Sequence, residues 1–202
     1  MSTELYFVYD SHCPWSYAAT RIVNELHSAY PKMVVNLLHT AHFIGKDCAG
    51  EKQVNAVIKA SQMKFGKLHL QHVNSPKNSI KAANFMRWLQ AKQPQKQLDV
   101  LNALQHAHFV EGNPLDSKHN FNTITEQFKL SPSGKVFKNE LSLDAEQTLE
   151  DIAEIQQVLG TQSFPALVMV FNDNAIFIDH SKYLASPQAV LKDVEQEIKA
   201  MS

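Results

Sequence analysis

Apolar residues run unbroken through Leu5-Tyr6-Phe7-Val8-Tyr9, and a second apolar set, Val34, Val35, Leu37 and Leu38, follows the turn at Tyr30-Pro31. Runs of this length predict buried strands. Between them, Tyr17 through Ala29 is amphipathic, so the first forty residues read strand, helix, strand. Two apolar strands joined by a helix predict a right-handed parallel crossover. The last third has a matching character. Ala166-Leu167-Val168-Met169-Val170-Phe171 reads as a strand, Asn172-Asp173-Asn174 as a turn and Ala175-Ile176-Phe177-Ile178 as a second strand, a hairpin signal. A helix follows, opened by Ser186-Pro187, with Val190, Leu191, Val194 and Ile198 at helical spacing.

From about residue 50 to 159 the pattern predicts helices and almost no strand. Val54, Val57 and Ile58 set the first helical period, and Ser75-Pro76 opens a helix carrying Ile80, Ala83, Trp88 and Leu89. Pro94 starts another, with Leu98, Leu101, Leu104 and Phe109, stopped near Gly112. Phe121, Ile124 and Phe128 mark a fourth, and Ser131-Pro132 caps a short fifth with Val136, Phe137 and Leu141. A last helix runs through Leu149, Ile152, Ile155 and Leu159 to a stop at Gly160. The layout is a small α/β unit split by a helical insertion.

Composition narrows the classes. The net charge of −1 shows no electrostatic footprint for nucleic acid or acidic lipid. The longest apolar run, Phe164 to Phe171, falls far below the roughly 20 residues that span a bilayer. Neither a nucleic-acid nor a membrane partner is expected. The opening MSTELYFVYD has no basic segment, and its apolar run is too short for a signal peptide. Two cysteines, Cys13 and Cys48, are too few for a disulfide scaffold. A reducing, cytoplasmic setting is expected.

The chemistry concentrates in Asp10-Ser11-His12-Cys13-Pro14-Trp15-Ser16-Tyr17. Cys13 follows the first strand and precedes a proline at the first turn of a helix, where a missing N–H costs nothing. That context places the sulfur beside unpaired backbone N–H groups and the positive end of the helix dipole. The expected consequence is a thiol titrating below the free value of about 8.5. Three residues on, where a redox pair carries its second cysteine, stands Ser16.

This segment and Gly160-Thr161-Gln162-Ser163-Phe164-Pro165-Ala166-Leu167-Val168 resemble the two signatures of the thioredoxin superfamily branch with an inserted helical domain. That branch holds DsbA-like proteins, FrnE-type disulfide isomerases, 2-hydroxychromene-2-carboxylate isomerases and kappa-class glutathione transferases. The first segment stands in the place of the family's C-x-x-C, and the second is similar to its G-x-x-x-x-P-[AT]-L-V. The resemblance implies an α/β, thioredoxin-like fold with an inserted all-helical domain. Residues 1–48 and 146–202 would form the thioredoxin-like part and 49–145 the insertion. It also implies a cis proline at Pro165 beside the active-site helix, with Phe164 offering backbone groups to a peptide or to glutathione as a short extra strand. The tetrapeptide Cys13-Pro14-Trp15-Ser16 departs from both branches: its first position resembles the redox enzymes, while Pro14 and Ser16 resemble the transferases' S-P-[YF]-S.

Each candidate has a blander alternative. Cys13 reads as a reactive thiol rather than a structural one. Ser16 reads as a donor to the thiolate or as a first-turn serine bonded to backbone, and His12 as a source of positive charge and protons or as an exposed residue before the cap. Trp15 reads as a substrate contact or as a cover over the insertion. Pro165 without the family reading is a trans proline opening an edge strand. Ser181, in Asp179-His180-Ser181-Lys182, lies where glutathione-using relatives contact the γ-glutamyl group, and a polar loop is its preferred alternative. His69-x-x-His72 and His106-x-His108 lack a nearby completing ligand, so solvated or interfacial histidines are preferred and no metal is expected. Cys48 reads as incidental, because a bond to Cys13 needs a Cα–Cα distance within about 7 Å.

The function expected is thiol–disulfide exchange of monothiol (C-x-x-S) type, isomerase-like or deglutathionylating, through a mixed disulfide at Cys13. Protein or peptide disulfides and glutathione are the partners. Glutathione serves as co-substrate, with no tightly bound cofactor, and the oligomeric state is left open. Two alternatives stand beside it: a glutathione-dependent transferase or isomerase, and a redox-inert peptide-binding module.

Overall fold

The computed structural model describes residues 3–172 and 174–201, so Asp173 of the expected turn lies outside the described residues. Strand β1 (Thr3–Tyr9) leads into helix α1 (Pro14–Ala29), which returns to β2 (Val34–His39). β1 and β2 pair in parallel, with Leu5 opposite Val35 and Tyr9 opposite His39. The insertion contributes α2 (Gly50–Ser61), α3 (Lys67–Gln71), α4 (Ile80–Lys92), α5 (Gln97–Phe109) and α6 (Asn122–Gln127) before α7 (Leu143–Leu159). β3 (Ala166–Phe171) then pairs antiparallel with β1, β4 (Asn174–Ile178) pairs antiparallel with β3, and α8 (Ala189–Ala200) follows. The sheet order is β2-β1-β3-β4.

Alternation along β1 divides the two faces of the sheet. Leu5, Phe7 and Tyr9 join the large apolar cluster with Ile22 and Leu26 of α1 and Val190 and Val194 of α8. Val8 faces the other way and packs with Leu38, Ala166 and Ile152 of α7. The sheet is therefore covered on both sides. The large cluster continues without a break into the insertion through Phe85, Leu101, Leu104 and Phe121. Phe85 is fully buried and meets Trp88, Phe121 and Phe137 at ring distances of 5.9, 5.2 and 5.8 Å. Truncation to alanine there costs about 3–5 kcal/mol.

Helix ends explain most of the segmentation. α7 opens on Ser142, whose hydroxyl accepts the Ala145 N–H at 3.2 Å, and closes on Gly160 at φ 66°. That left-handed turn suits a residue without a Cβ. The helix expected from Ser75-Pro76 begins only at Ile80. Asn78 accepts the Ile80 N–H at 3.1 Å, while Ser79 turns its hydroxyl to Asp10 at 2.8 Å instead of capping. Ser131-Pro132 leads only to one turn of 3-10 helix, Gly134–Phe137, rather than a fifth α-helix.

Candidate active site

β1 and β2 end side by side, and the loops beyond them build a dense buried polar cluster. Asp10 is fully buried and ionised. Burial works against its charge, but His39 and His12, when protonated in acid, and the His12 N–H (2.8 Å) and Ser79 hydroxyl (2.8 Å) hold the carboxyl below its ordinary range. The His42 N–H adds a further donor at 2.8 Å. Backbone N–H groups meet both ring nitrogens of His39, Ala41 at Nδ1 (3.0 Å) and Ser11 at Nε2 (3.2 Å), and the Ser11 hydroxyl lies 2.9 Å from Nε2. Ser11 in turn bonds His12 Nδ1 at 3.0 Å, and His12 Nε2–H donates to the Pro114 carbonyl at 3.0 Å. Burial lowers both imidazoles, His39 to about 4, so both are neutral at pH 7.

Cys13 is the residue that caps α1, in extended conformation, with Pro14 at the first helical position. Its carbonyl accepts the Tyr17 N–H at 3.0 Å and its N–H donates to the Asp10 carbonyl at 3.1 Å. The Ser16 hydroxyl and the Ser16 and Trp15 N–H groups pull the thiol toward its charged form. Those are the donors expected of a helix start. The expected lowering of the thiol is nevertheless wrong. Cys13 is only 5% exposed, and desolvation pushes it up to about 11, against the pull of those donors and with the Asp10 carboxylate adding to the rise. The sequence showed the helix terminus but not the burial.

His12 is corrected in the same way. It is 2% exposed rather than solvated, its ring runs toward Pro114 of the insertion, and its neutrality removes it as a source of charge. It tilts against His108 at 4.3 Å, and His108 meets His69 at 5.1 Å. His69 and His108, expected to be solvated or interfacial, are buried inside this stack, whereas His106 is exposed. Among the described residues no group of three or more His, Cys, Asp or Glu side chains is arranged to hold a metal ion.

A cavity of about 410 Å³ opens at Cys13. Trp15 and Phe164 line it beside Cys13, as do Cys48, His42 and Gln53. The Phe164–Pro165 peptide is cis, and Pro165 is buried at the entry to β3. Ser16 is fully buried beneath the sulfur. Ser181 is not among the residues lining the cavity; its hydroxyl donates to Asp179 at 2.6 Å in a local turn. Pro14 is buried and shapes the helix start. Sequence reasoning missed His42, whose exposed ring meets Phe164 at 5.0 Å. A signal was available: it follows the carboxyl end of a parallel strand, where crevices of α/β sheets take ligands.

Residues 4–161 match the DSBA-like thioredoxin domain family. No curated protein sequence matches the chain. Among solved structures the chain is similar to the cytosolic disulfide reductase DsbM from Pseudomonas aeruginosa with GSH, at 16% identity and a TM-score of 0.81, covering 97% of this chain and 99% of that one. It is also similar to a candidate protein disulfide isomerase from Nitrosomonas europaea, at 15% identity and a TM-score of 0.74, covering 98% of each chain. A 2-hydroxychromene-2-carboxylate isomerase matches at 12% identity and a TM-score of 0.60, over 98% of this chain and 99% of that one. At these identities the likeness is one of fold. No helix among the described residues is long and apolar enough to cross a membrane.

Proposed function

The chain belongs to the family of DSBA-like thioredoxin domains, and on that premise we propose that it performs thiol–disulfide exchange in the cytoplasm through a mixed disulfide at Cys13, with glutathione as co-substrate. The observation that supports this reading is the sulfur's setting. One thiol stands at a helix start, Ser16 and Trp15 favour its charged form, and the aromatic walls of Trp15 and Phe164 flank the adjoining cavity. A disulfide lying along the Phe164 edge meets the thiol from the cavity side. Cys13 attacks as thiolate, one sulfur of the substrate joins it, and the other leaves as a thiol. Ser16 and Trp15, which favour the charged sulfur, stabilise it in that step.

Ser16 cannot resolve the mixed disulfide, so release falls to a thiol outside the C-x-x-S motif. This favours removal of glutathione from protein thiols, or isomerisation, over net oxidation of dithiols. The neighbours named as a disulfide reductase with GSH and a disulfide isomerase fit this chemistry. Burial of the resting thiol favours one rival, a glutathione-dependent transferase or isomerase in which Cys13 or Ser16 orients a bound thiolate without covalent capture.

Transfer of glutathione from a glutathionylated peptide distinguishes the two. The expected first product is a glutathione adduct on Cys13 by intact mass and peptide mapping, absent from Cys13→Ser. Saturable binding of reduced glutathione with no adduct at any pH would establish the rival.

A further inference from the structure

The mixed disulfide needs a thiol to clear it, and the cavity at Cys13 holds another. Cys48 lines the same space of about 410 Å³ from the loop between β2 and α2. Unlike Cys13 it is only partly buried. Glycines at φ 88° and 76°, Gly45 and Gly50, bracket its loop. The loop is tied to the 72–78 segment at its base: Gly45 N–H donates to the Lys77 carbonyl at 2.7 Å and Lys77 N–H to the Asp47 carbonyl at 2.8 Å. These bonds hold the backbone at Lys77 against the loop that carries Cys48.

We propose that Cys48 is the resolving thiol of this site. The inference rests on the reading of Cys13 as the exchanging sulfur. In the step proposed, the Cys48 thiolate attacks the Cys13 sulfur of the mixed disulfide. A Cys13–Cys48 bond forms, the bond to the bound thiol breaks, and that thiol leaves as a thiolate that takes up the proton Cys48 gave to solvent. Two molecules of reduced glutathione then reopen the internal bond and leave as one disulfide, supplying the two electrons. The direction is favoured by the leaving groups: the buried Cys13 sulfur is the poorer one, so attack expels the other partner. The bond requires the two Cα atoms to lie within about 7 Å.

The test uses the full reduced chain, Cys48→Ser, Cys48→Ala and Cys13→Ser, each given oxidised glutathione and followed by intact mass. The unaltered chain is expected to pass through a Cys13 adduct and end two hydrogens lighter, with Cys13 and Cys48 joined in one molecule. Both Cys48 variants should hold the adduct at least about ten-fold longer, since an intramolecular thiol acts at high effective concentration. Equal adduct lifetimes in the unaltered chain and the Cys48 variants would overturn the inference and leave Cys13 as the exchanging thiol. Absence of any Cys13 adduct in the Cys48 variants would overturn the reading on which it rests. A bond found only between two molecules also counts against it.

Discussion

The Ser16 hydroxyl accepts the backbone N–H of Asp10 at 3.2 Å, and the same side chain favours the charged form of the Cys13 thiol. One buried side chain thus closes the end of β1 and steadies the thiol at the start of α1. Ser16→Ala removes both functions. It should raise the Cys13 titration further and cost about 1–3 kcal/mol through the stranded Asp10 N–H. Alkylation rate against pH reads the first effect and urea unfolding the second.

The thiol of the unaltered chain should titrate high. Iodoacetamide rates at Cys13, with Cys13→Ser as the blank, are expected to climb toward a midpoint near about 11. A midpoint below the free value of about 8.5 would mean that the helix terminus overcomes burial after all.

Acid should weaken the fold before the carboxylates titrate. His39 takes up a proton only near about 4 in the native state, and His12, His69 and His108 are also lowered by burial. Unfolded, each protonates near 6.5, so the unfolded state binds more protons as pH falls and stability drops from about pH 6.5 toward 4. The urea midpoint should fall across that window. His39→Gln should flatten the slope by one proton, about 1.4 kcal/mol per pH unit.

A second cysteine inside the motif should bypass the loop. Ser16→Cys places a resolving thiol one helical turn from Cys13, so the glutathione adduct should clear even when Cys48 is also changed to serine. Insulin reduction should appear in Ser16→Cys at rates the unaltered chain does not reach.

Phe164 should act on substrate capture and not on the thiol. Phe164→Ala removes the ring that meets His42 at 5.0 Å, tilted by 59°, and lines the cavity. Half-maximal transfer from a glutathionylated peptide should require about ten-fold more peptide, a loss near 1.4 kcal/mol, with the Cys13 titration unmoved.

Strands, the crossover helix and the Gly160 stop were legible because each rests on a local pattern: apolar runs, a proline at a helix start, a glycine at a helix end. α3 was not. Its five residues, Lys67–Gln71, are too few to show a period, and it exists through packing: a Cβ on Gly66 would lie 1.7 Å from the Val110 carbonyl oxygen. The motif around Cys13 was legible as chemistry, but its titration was not. Burial of that sulfur depends on loops from β2 and from residues near 163, far apart in sequence. The histidine stack was hidden for the same reason, since His12, His69 and His108 come from three separate elements.

The position of β1 in the middle of the sheet has a consequence for synthesis. Its parallel partner β2 ends at His39, but the antiparallel neighbour β3 begins only at Ala166, after the whole insertion has been made. At about 5–20 residues per second, a ribosome leaves one edge of β1 unpaired for roughly 6–25 s. During that interval Leu5, Phe7 and Tyr9 have α1 as cover, while the open backbone of β1 is a template for other nascent chains. Expression yield should therefore depend on chaperone supply more than the stability of the finished protein suggests.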